Sequence, residues 1–257
     1  MDQAACAVWH KHRVGRITGS ISHRVTHASP DNSTQSIITD ICQAKNKSIN
    51  KPWTVWGKHH EKDAMDTYRK ETDKTSKQIY VEDCVRKKHV NPQRQRAGFR
   101  ICKERPYLAA SCDGYVSCDC CGLGVLEAKW PYNWGQDNCT LQQWVEDKTG
   151  HHESGPALRR IHAYFTQVQM EMSVCQRSYC DFITWTPHTS LILRIPRNDA
   201  FISTMVTTLS DFCTRHTFLR LNLTHHRQNQ DAQEADHNSS NEGNAGSSSS
   251  AGSSGAV

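Results

Sequence analysis

Apolar residues recur at helical spacing near both ends of this chain and in short continuous runs between them. The early part of the sequence favours helices. They are a short helix through Ile21 and Val25 with Thr18 or Ser20 as its N-cap, a second from Asp31 or Ser33 through Ile41, and a longer one from about Val55 to Thr72. The longer helix places Trp56, His60, Ala64 and Tyr68 on one stripe, with Glu61 beside it.

Strand-like runs occupy the middle of the chain, near Gln78–Val85, Ala97–Cys102, Leu108–Val116 and Gly124–Trp130. Residues 131–155 favour an irregular polar connection. Pro156 suits the first turn of a helix through Cys175, and two strands, CDFITWTP and SLILRIP, follow it. A last amphipathic helix is predicted from about Asn198 to Leu223. This order predicts one α/β or α+β domain without an internal repeat.

The segment SCDGYVSCDCCGLGVLEAKW carries the candidate chemistry. If it forms a hairpin centred on Cys120, Asp113 and Glu127 face each other, with Cβ atoms about 4.5–5.5 Å apart. Lys129 leaves the strand on the same side as Glu127. Two close carboxylates repel unless a divalent cation sits between them, and a metal beside a lysine is a way to activate water against a phosphodiester. The alternative is a hairpin whose charged residues face solvent.

Composition separates the last thirty residues from the rest. Residues 228–257 are mostly Ser, Gly, Asn, Gln and Ala, a composition typical of a disordered tail, so residues 1–227 are predicted to form the folded domain. The tail holds four acidic residues and no Lys or Arg. Because the whole chain carries +5, the remainder carries +9, which suits a polyanionic partner.

The opening segment lacks the apolar region of a signal peptide, and no stretch approaches the roughly eighteen apolar residues of a membrane span. An intracellular protein, in the nucleus or cytoplasm, is therefore expected. Twelve cysteines in such a chain are reduced thiols or metal ligands. Cys118 and Cys121 have the spacing of one zinc-binding pair, but no second pair follows, so reduced thiols in a tight turn are the favoured interpretation and metal binding by Cys118, Cys120 and Cys121 stays open.

Four separated blocks, in order, resemble the YqaJ-type viral recombinases of the lambda-exonuclease group, within the PD-(D/E)xK nuclease superfamily. The blocks are WHKHRVGRITGS, WGKHHEKDA, SCDGYV with LEAK, and YFTQVQMEMSV leading into CDFITWTP. The resemblance implies an α/β (α+β) core with a central mixed sheet flanked by helices. Two departures stand beside the motif: Cys112 occupies the position where the superfamily often has proline, and Trp130 that of a frequent cysteine.

The resemblance also implies roles for individual residues. Asp113 and Glu127 match the ligands of Mg²⁺, for which Mn²⁺ is a substitute, and Lys129 matches the residue that orients or deprotonates the attacking water. Glu61 matches a helical acidic residue that completes the site, and Gln167 a glutamine that reaches toward it. The phosphate contacts implied by the resemblance are Arg13, Ser20 and, just before the metal aspartate, Ser111.

The activity implied is a metal-dependent exonuclease that degrades one strand of duplex DNA from a 5′ end, in recombination or repair. By the same resemblance, the expected partners are DNA ends, a single-strand annealing protein and further copies of the chain in a ring trimer. The alternatives are a domesticated DNA-binding module with weak or no cleavage, and a structure-specific endonuclease.

Overall fold

The computed structural model of the protein describes residues 7–28, 33–43, 51–73, 80–133, 143 and 157–223. The predicted acidic tail, and most of the predicted polar connection between residues 131 and 155, lie outside this range. Among the described residues, no helix is both long and apolar enough to cross a membrane.

The described elements follow the predicted order of helices, strands, helix, two strands and helix. The helices are α1 (Ala7–Arg13), α2 (Gly19–Thr26), α3 (Ser33–Cys42), α4 (Pro52–Asp73), α5 (Asp83–Arg86), α6 (Ala163–Cys175) and α7 (Asp199–Phe212), the last continued by a π-helical turn, Cys213–Thr217. The strands are β1 (Ile17–Thr18), β2 (Tyr80–Val81), β3 (Gln93–Arg96), β4 (Arg100–Ile101), β5 (Leu108–Ala110), β6 (Gly114–Cys118), β7 (Gly122–Lys129), β8 (Tyr179–Trp185) and β9 (Ser190–Pro196).

A mixed six-stranded sheet in the order β2-β9-β8-β7-β6-β3 forms the centre of the fold. Strand β7 pairs parallel with β8 and antiparallel with β6, and β2 pairs parallel with β9. A smaller sheet has the order β1-β5-β4. The predicted α/β class, a central mixed sheet flanked by helices, is confirmed.

Helices cover both faces of the large sheet because side chains along β7 alternate between two apolar clusters. Val125 packs with residues of α6 such as Val168, whereas Leu126 and Ala128 pack with Ala64 and others of α4. Ten of the thirteen residues of α6 are buried. A helix buried this fully is a fixed platform for the side chains that it directs at the sheet.

Three predicted strands are wrong in part. Within the described residues 80–85 of the first run, only Tyr80 and Val81 form a strand, and α5 follows, with Val85 as its one buried residue. The predicted strand Ala97–Cys102 is reduced to the two residues of β4. The predicted strand Leu108–Val116 is two strands, β5 and β6, in different sheets. A change of sheet within a run of small and apolar residues leaves no trace in the hydrophobic pattern.

Two further differences concern the start of a helix and a strand absent from the prediction. Helix α6 begins at Ala163 because His162 caps it, its ring accepting a hydrogen bond from the Tyr164 backbone N–H. Strand β3 (QRQR) is exposed at all four residues, so its sequence lacks the apolar alternation that marks a half-buried strand. It lies at the edge of the sheet, where both of its faces can be polar.

Candidate active site

The β6–β7 hairpin has the register predicted from its sequence. Gly114 pairs with Leu126 and Cys118 with Gly122, so the turn centres on Cys120. Asp113 directly precedes β6 and lies one step beyond the Gly114–Leu126 pair, beside Glu127. The expectation that the hairpin brings these two carboxylates together is therefore confirmed by the pairing.

Asp113 occupies the three-residue crossing between the small and the large sheet. Its Oδ2 accepts a hydrogen bond of 2.8 Å from the Ala128 backbone N–H, which fixes the side chain against the end of β7. Burial, and then the negative charge of Glu127, raise the pKa of Asp113, while Lys129 and the Ala128 hydrogen bond oppose that rise. The site thus holds a carboxylate whose negative charge is costly in the absence of a further cation.

Glu127 is the centre of the cluster. Its Oε1 accepts hydrogen bonds from Lys129 Nζ at 2.7 Å and from Gln167 Nε2 at 2.6 Å. Burial opposes the charge of Lys129, but Glu127, Tyr164 and Asp113 outweigh it and raise the pKa of the ammonium group. The Tyr164 ring centroid lies 5.1 Å from Nζ, in cation–π range.

The sequence analysis missed Glu171, which lies one helical turn beyond Gln167 on the same face of α6. The Nε2 of Gln167 also donates to Glu171 Oε1, at 2.9 Å, so the amide joins the two glutamates. Burial and then Glu127 raise the pKa of Glu171. The four-residue spacing from Gln167 was the available signal, since residues i and i+4 share a helix face.

Gln169 points away from the cluster, as expected from its position on the helix. Its amide donates to the Pro196 carbonyl oxygen and accepts from the Asn198 backbone N–H, which ties α6 to the segment between β9 and α7. Gly19, at the start of α2, allows α2 to press on α6: a Cβ there would lie 3.1 Å from both Gln167 Cγ and Glu171 Oε1.

Glu61 lies on α4, on the opposite side of Asp113 from α6. It lines a cavity of about 490 Å³ together with Asp113, Arg94 and Arg96. Its Oε1 lies 3.7 Å from the Arg96 guanidinium, and its charge contributes to the raised pKa of Asp113. Trp130 fixes this helix relative to β7, because its indole N–H donates to the His60 carbonyl oxygen at 2.8 Å.

The donor set of the cluster fits a hard divalent cation. Glu127 Oε2 and Glu171 Oε2 are both buried and have no hydrogen-bond partner. Leaving two buried carboxylate oxygens unsatisfied is costly, and carboxylate oxygens are the ligands that Mg²⁺ takes. Asp113, Glu127 and Glu171 would therefore hold such an ion, with Glu61 at the border of the site.

The three candidate phosphate contacts form a second group, linked by Trp9. The Trp9 indole N–H donates to Ser111 Oγ at 3.2 Å, and the Arg13 guanidinium stacks 4.4 Å above the Trp9 ring. Arg13 Nη2 donates to Thr18 Oγ1 at 3.0 Å and to Ser20 Oγ at 3.4 Å. The sequence analysis placed Arg13, Ser20 and Ser111 together but missed the connecting Trp9 and Thr18.

Arg13, Thr18 and Ser20 line a cavity of about 290 Å³, which Arg16 and Arg24 also border. Burial lowers the pKa of Arg13. An arginine fork beside two hydroxyl groups is a suitable ligand set for a phosphate group. This cavity lies next to the carboxylate cluster. Ser111 is two residues from Asp113, and Gly19 is in contact with Gln167 and Glu171.

Comparison with known structures shows that solved exonucleases share this fold. The alkaline exonuclease LHK-Exo from Laribacter hongkongensis is 19% identical and has a TM-score of 0.60, over 88% of this chain and 100% of that chain. The same protein in complex with dAMP gives a TM-score of 0.61. A phage-related exonuclease from Haemophilus somnus 129PT is 11% identical, with a TM-score of 0.53 over 81% of this chain and 96% of that one.

Sequence comparison gives the family directly. No curated protein sequence matches this chain significantly. A family model, however, matches residues 8–178 and so spans the cavity that Arg13 lines, the hairpin and α6. The chain belongs to the family of YqaJ-like viral recombinase domains.

Proposed function

We propose that this protein is a divalent-metal-dependent exonuclease that hydrolyses DNA from a 5′ end. The observation that carries the proposal is the cluster of Asp113, Glu127 and Glu171 beside Lys129, in which two buried carboxylate oxygens have no partner. Family membership and the fold shared with two bacterial exonucleases support it.

The carboxylates of the cluster bind the cation, and Lys129 acts on the attacking water and the phosphate. Asp113, Glu127 and Glu171 bind the cation, which is proposed to be Mg²⁺, with Mn²⁺ as a substitute. When bound, the ion polarises a phosphate oxygen and lowers the pKa of a water. Lys129, held by Glu127, orients or deprotonates the attacking water and stabilises negative charge that develops on the phosphate. Gln167 fixes the positions of Glu127 and Glu171 relative to each other, because its amide nitrogen donates to both.

Basic side chains on two sides supply the DNA contacts. Arg94 and Arg96 border the cavity that contains Asp113, and they suit the backbone of the strand being cut. The Arg13 pocket suits the terminal 5′-phosphate, whose extra charge an internal phosphodiester lacks. The position of this pocket beside the carboxylates supports the proposed 5′ to 3′ direction, because a terminal 5′-phosphate held there would present the first phosphodiester bond to Lys129. The dAMP complex of the Laribacter protein is consistent with nucleotide binding in this fold.

A ring of three chains and a single-strand annealing partner are also proposed, from the family resemblance alone. A ring that encloses the duplex would admit DNA only at an end. It would therefore allow exonuclease action and exclude endonuclease action. Light scattering coupled to size-exclusion chromatography gives the mass directly; a monomer at assay concentrations would contradict the ring.

The activity is tested with end-labelled linear duplex and covalently closed circular DNA, each with Mg²⁺ or EDTA. We expect Mg²⁺-dependent release of mononucleotides from the linear DNA and no nicking of the circle. Nicking of the circle would favour a structure-specific endonuclease. Binding without release from either substrate would favour a DNA-binding module.

End recognition is tested by comparing 5′-phosphorylated and 5′-hydroxyl ends with wild type and Arg13→Ala. A dedicated phosphate pocket predicts a larger loss of rate on the phosphorylated end. Arg16→Ala is the matched control, since Arg16 lines the same cavity but donates to the Pro106 and His12 carbonyl oxygens. Equal losses on both ends would make Arg13 a general backbone contact and would remove the argument for direction.

A further inference from the structure

Four soft ligand atoms converge at the turn of the β6–β7 hairpin, at the end opposite to the carboxylates. The Sγ atoms of Cys118, Cys120 and Cys121 and Nδ1 of His89 all lie within 4.8 Å of one another. All three cysteines are free thiols. His89 is 29 residues from Cys118 in the sequence, which is why the spacing of the cysteines alone shows only three ligands.

The distances between these atoms match the edges of a small tetrahedron. Nδ1 of His89 lies 3.3, 3.4 and 3.6 Å from the sulfur atoms of Cys120, Cys118 and Cys121. Cys120 Sγ lies 3.3 Å from Cys118 Sγ and 3.7 Å from Cys121 Sγ. Zinc bonds of about 2.3 Å to sulfur and 2.0–2.1 Å to nitrogen, at tetrahedral angles, give ligand separations of about 3.6–3.8 Å.

His89 has the orientation of a metal ligand. Its other ring nitrogen, Nε2, lies 3.1 Å from the Val85 carbonyl oxygen, which can only accept a hydrogen bond. Nε2 therefore carries a proton, and in the neutral form of the ring the lone pair of Nδ1 is directed at the three sulfur atoms. A backbone carbonyl that fixes the far nitrogen in this way is a regular feature of histidine metal ligands.

The backbone at the turn holds the ligands in place. Gly122 follows the three cysteines with φ of 77°, a conformation that suits glycine. The Asp119 backbone N–H donates to the Val90 carbonyl oxygen at 3.0 Å, and Asn91 donates to the Asp119 carboxylate at 2.7 Å. These contacts fasten the loop that carries His89 to the hairpin.

We propose that Cys118, Cys120, Cys121 and His89 bind one Zn²⁺ ion as a closed structural site. Three thiolates and an imidazole are a standard tetrahedral set for zinc, and thiolates exclude Mg²⁺. A site of this kind carries a net charge of −1, because three thiolates face one divalent ion. Arg194, which is paired with Asp181, also contacts Cys121 at the edge of the site.

The ion would fix one edge of the sheet. The His89 loop leads into β3, whose four exposed residues pair with β6. Strand β3 carries Arg94 and Arg96, which line the cavity beside Asp113. Zinc at the turn therefore holds the basic edge strand in position, while it stays outside the carboxylate cluster. The proposal stands on the turn itself and holds whether or not the protein cleaves DNA.

The first test measures metal in the full chain purified without added metal and dialysed against Mg²⁺. Elemental analysis is expected to give one Zn²⁺ per chain. Replacement by Co²⁺ should give the visible bands of tetrahedral cobalt with thiolate-to-cobalt charge transfer, a signal that the sulfur-free carboxylate cluster cannot produce. Protein that holds no zinc, and that gives no charge-transfer band when Co²⁺ is added under reducing conditions, would overturn the proposal.

The second test compares variants by competition with a chelator of known affinity. Changing Cys120→Ser or His89→Ala should weaken zinc binding more than about 100-fold, because loss of an outer-shell partner alone costs about 10–100-fold. Cys42→Ser, a half-buried cysteine on α3, is the control and should bind as wild type does. Equal affinity in all variants would overturn the site.

A third measurement covers variants that fail to fold. Thiol titration of folded wild type, before and after chelation, should show the three cluster thiols becoming reactive only when zinc is removed. A disulfide within Cys118, Cys120 and Cys121 in reduced preparations, or thiols equally reactive in both states, would contradict metal binding.

Discussion

The two ends of the β6–β7 hairpin carry ligands of opposite character. At the open end, three carboxylates lie beside Lys129, and two of their oxygens are buried without a partner. At the turn, the thiols of buried Cys118, exposed Cys120 and half-buried Cys121 already approximate a tetrahedron with His89. One hairpin therefore presents hard oxygen ligands at one end and soft ligands at the other.

The difference separates catalysis from architecture. Hard ligands with buried unpaired oxygens suit an ion that keeps water and binds phosphate, since Mg²⁺ retains several waters. A complete soft set leaves no open position and suits an ion that only holds the chain. Changes at the open end should abolish cleavage and spare folding, and changes at the turn should do the reverse.

Changing Asp113→Ala or Glu127→Gln should reduce cleavage below detection, because either change removes a ligand of the proposed ion. The zinc content should stay at that of wild type. Cleavage is measured with end-labelled linear duplex and Mg²⁺, and Asp211→Ala, an exposed carboxylate on α7, is the control. Near-native cleavage by either variant would show that the carboxylate cluster is not the catalytic centre.

Lys129→Ala should lower the rate by about 10²–10⁴-fold, the range for loss of a general acid or base or of one charge-stabilising group. Binding of DNA should be retained, because Lys129 is directed at Glu127 rather than at the surface. Single-turnover digestion measures the chemical step and fluorescence anisotropy measures binding. A loss confined to DNA affinity would make Lys129 a phosphate contact instead.

Glu171→Gln should raise the Mg²⁺ concentration needed for half-maximal cleavage, since it replaces an unpartnered carboxylate oxygen by an amide. Saturating Mg²⁺ should recover much of the rate because Asp113 and Glu127 remain. A titration of Mg²⁺ with both proteins separates the two effects. An unchanged Mg²⁺ requirement would exclude Glu171 from the ion site.

Gln167→Ala and Gln169→Ala form a matched pair on one helix. Gln167 joins Glu127 to Glu171, so its loss should lower the cleavage rate. Gln169 holds the Pro196–Asn198 backbone, so its loss should lower the free energy of unfolding by about 1–3 kcal/mol and leave the rate of folded protein unchanged. Denaturant unfolding and single-turnover rates give both quantities. The same effect from both changes would contradict their separate roles.

Removing zinc, or changing Cys118→Ser, should have the smallest effect on the rate per folded molecule. Thermal stability should fall, by about 2–4 °C for each kcal/mol lost in a domain of this size. The melting temperature is measured with and without a zinc-specific chelator. The shift in melting temperature that follows removal of Mg²⁺ alone is the comparison. A melting temperature that does not change when zinc is removed would show that zinc has no structural role at the turn.

Sequence reasoning reached the open end of the hairpin because its signals are local. The spacing of Asp113, Glu127 and Lys129 about Cys120 determines the register, and register determines which side chains meet. Glu171 was within reach by helical spacing from Gln167, and only the structure shows that its carboxylate is buried against Glu127.

The ligand set at the turn could not be completed from the sequence because its fourth ligand, His89, is distant along the chain. His89 lies in a loop before an edge strand that has no apolar residues. No hydrophobic periodicity therefore predicts this strand or the proximity of His89 to the cysteines. The link from Trp9 to Ser111 spans 102 residues in the same way. Long-range contacts between polar side chains are decided by tertiary packing, which hydrophobic patterns do not encode.

Anomalous diffraction from crystals grown with Mn²⁺, recorded on both sides of the zinc absorption edge, tests the contrast between the two ends most directly. We expect manganese bound to Asp113, Glu127 and Glu171 at the open end, and zinc bound to His89, Cys118, Cys120 and Cys121 at the turn. Manganese absent from the buried carboxylates, with the Glu127 and Glu171 oxygens still unpartnered, would contradict the proposed catalytic centre.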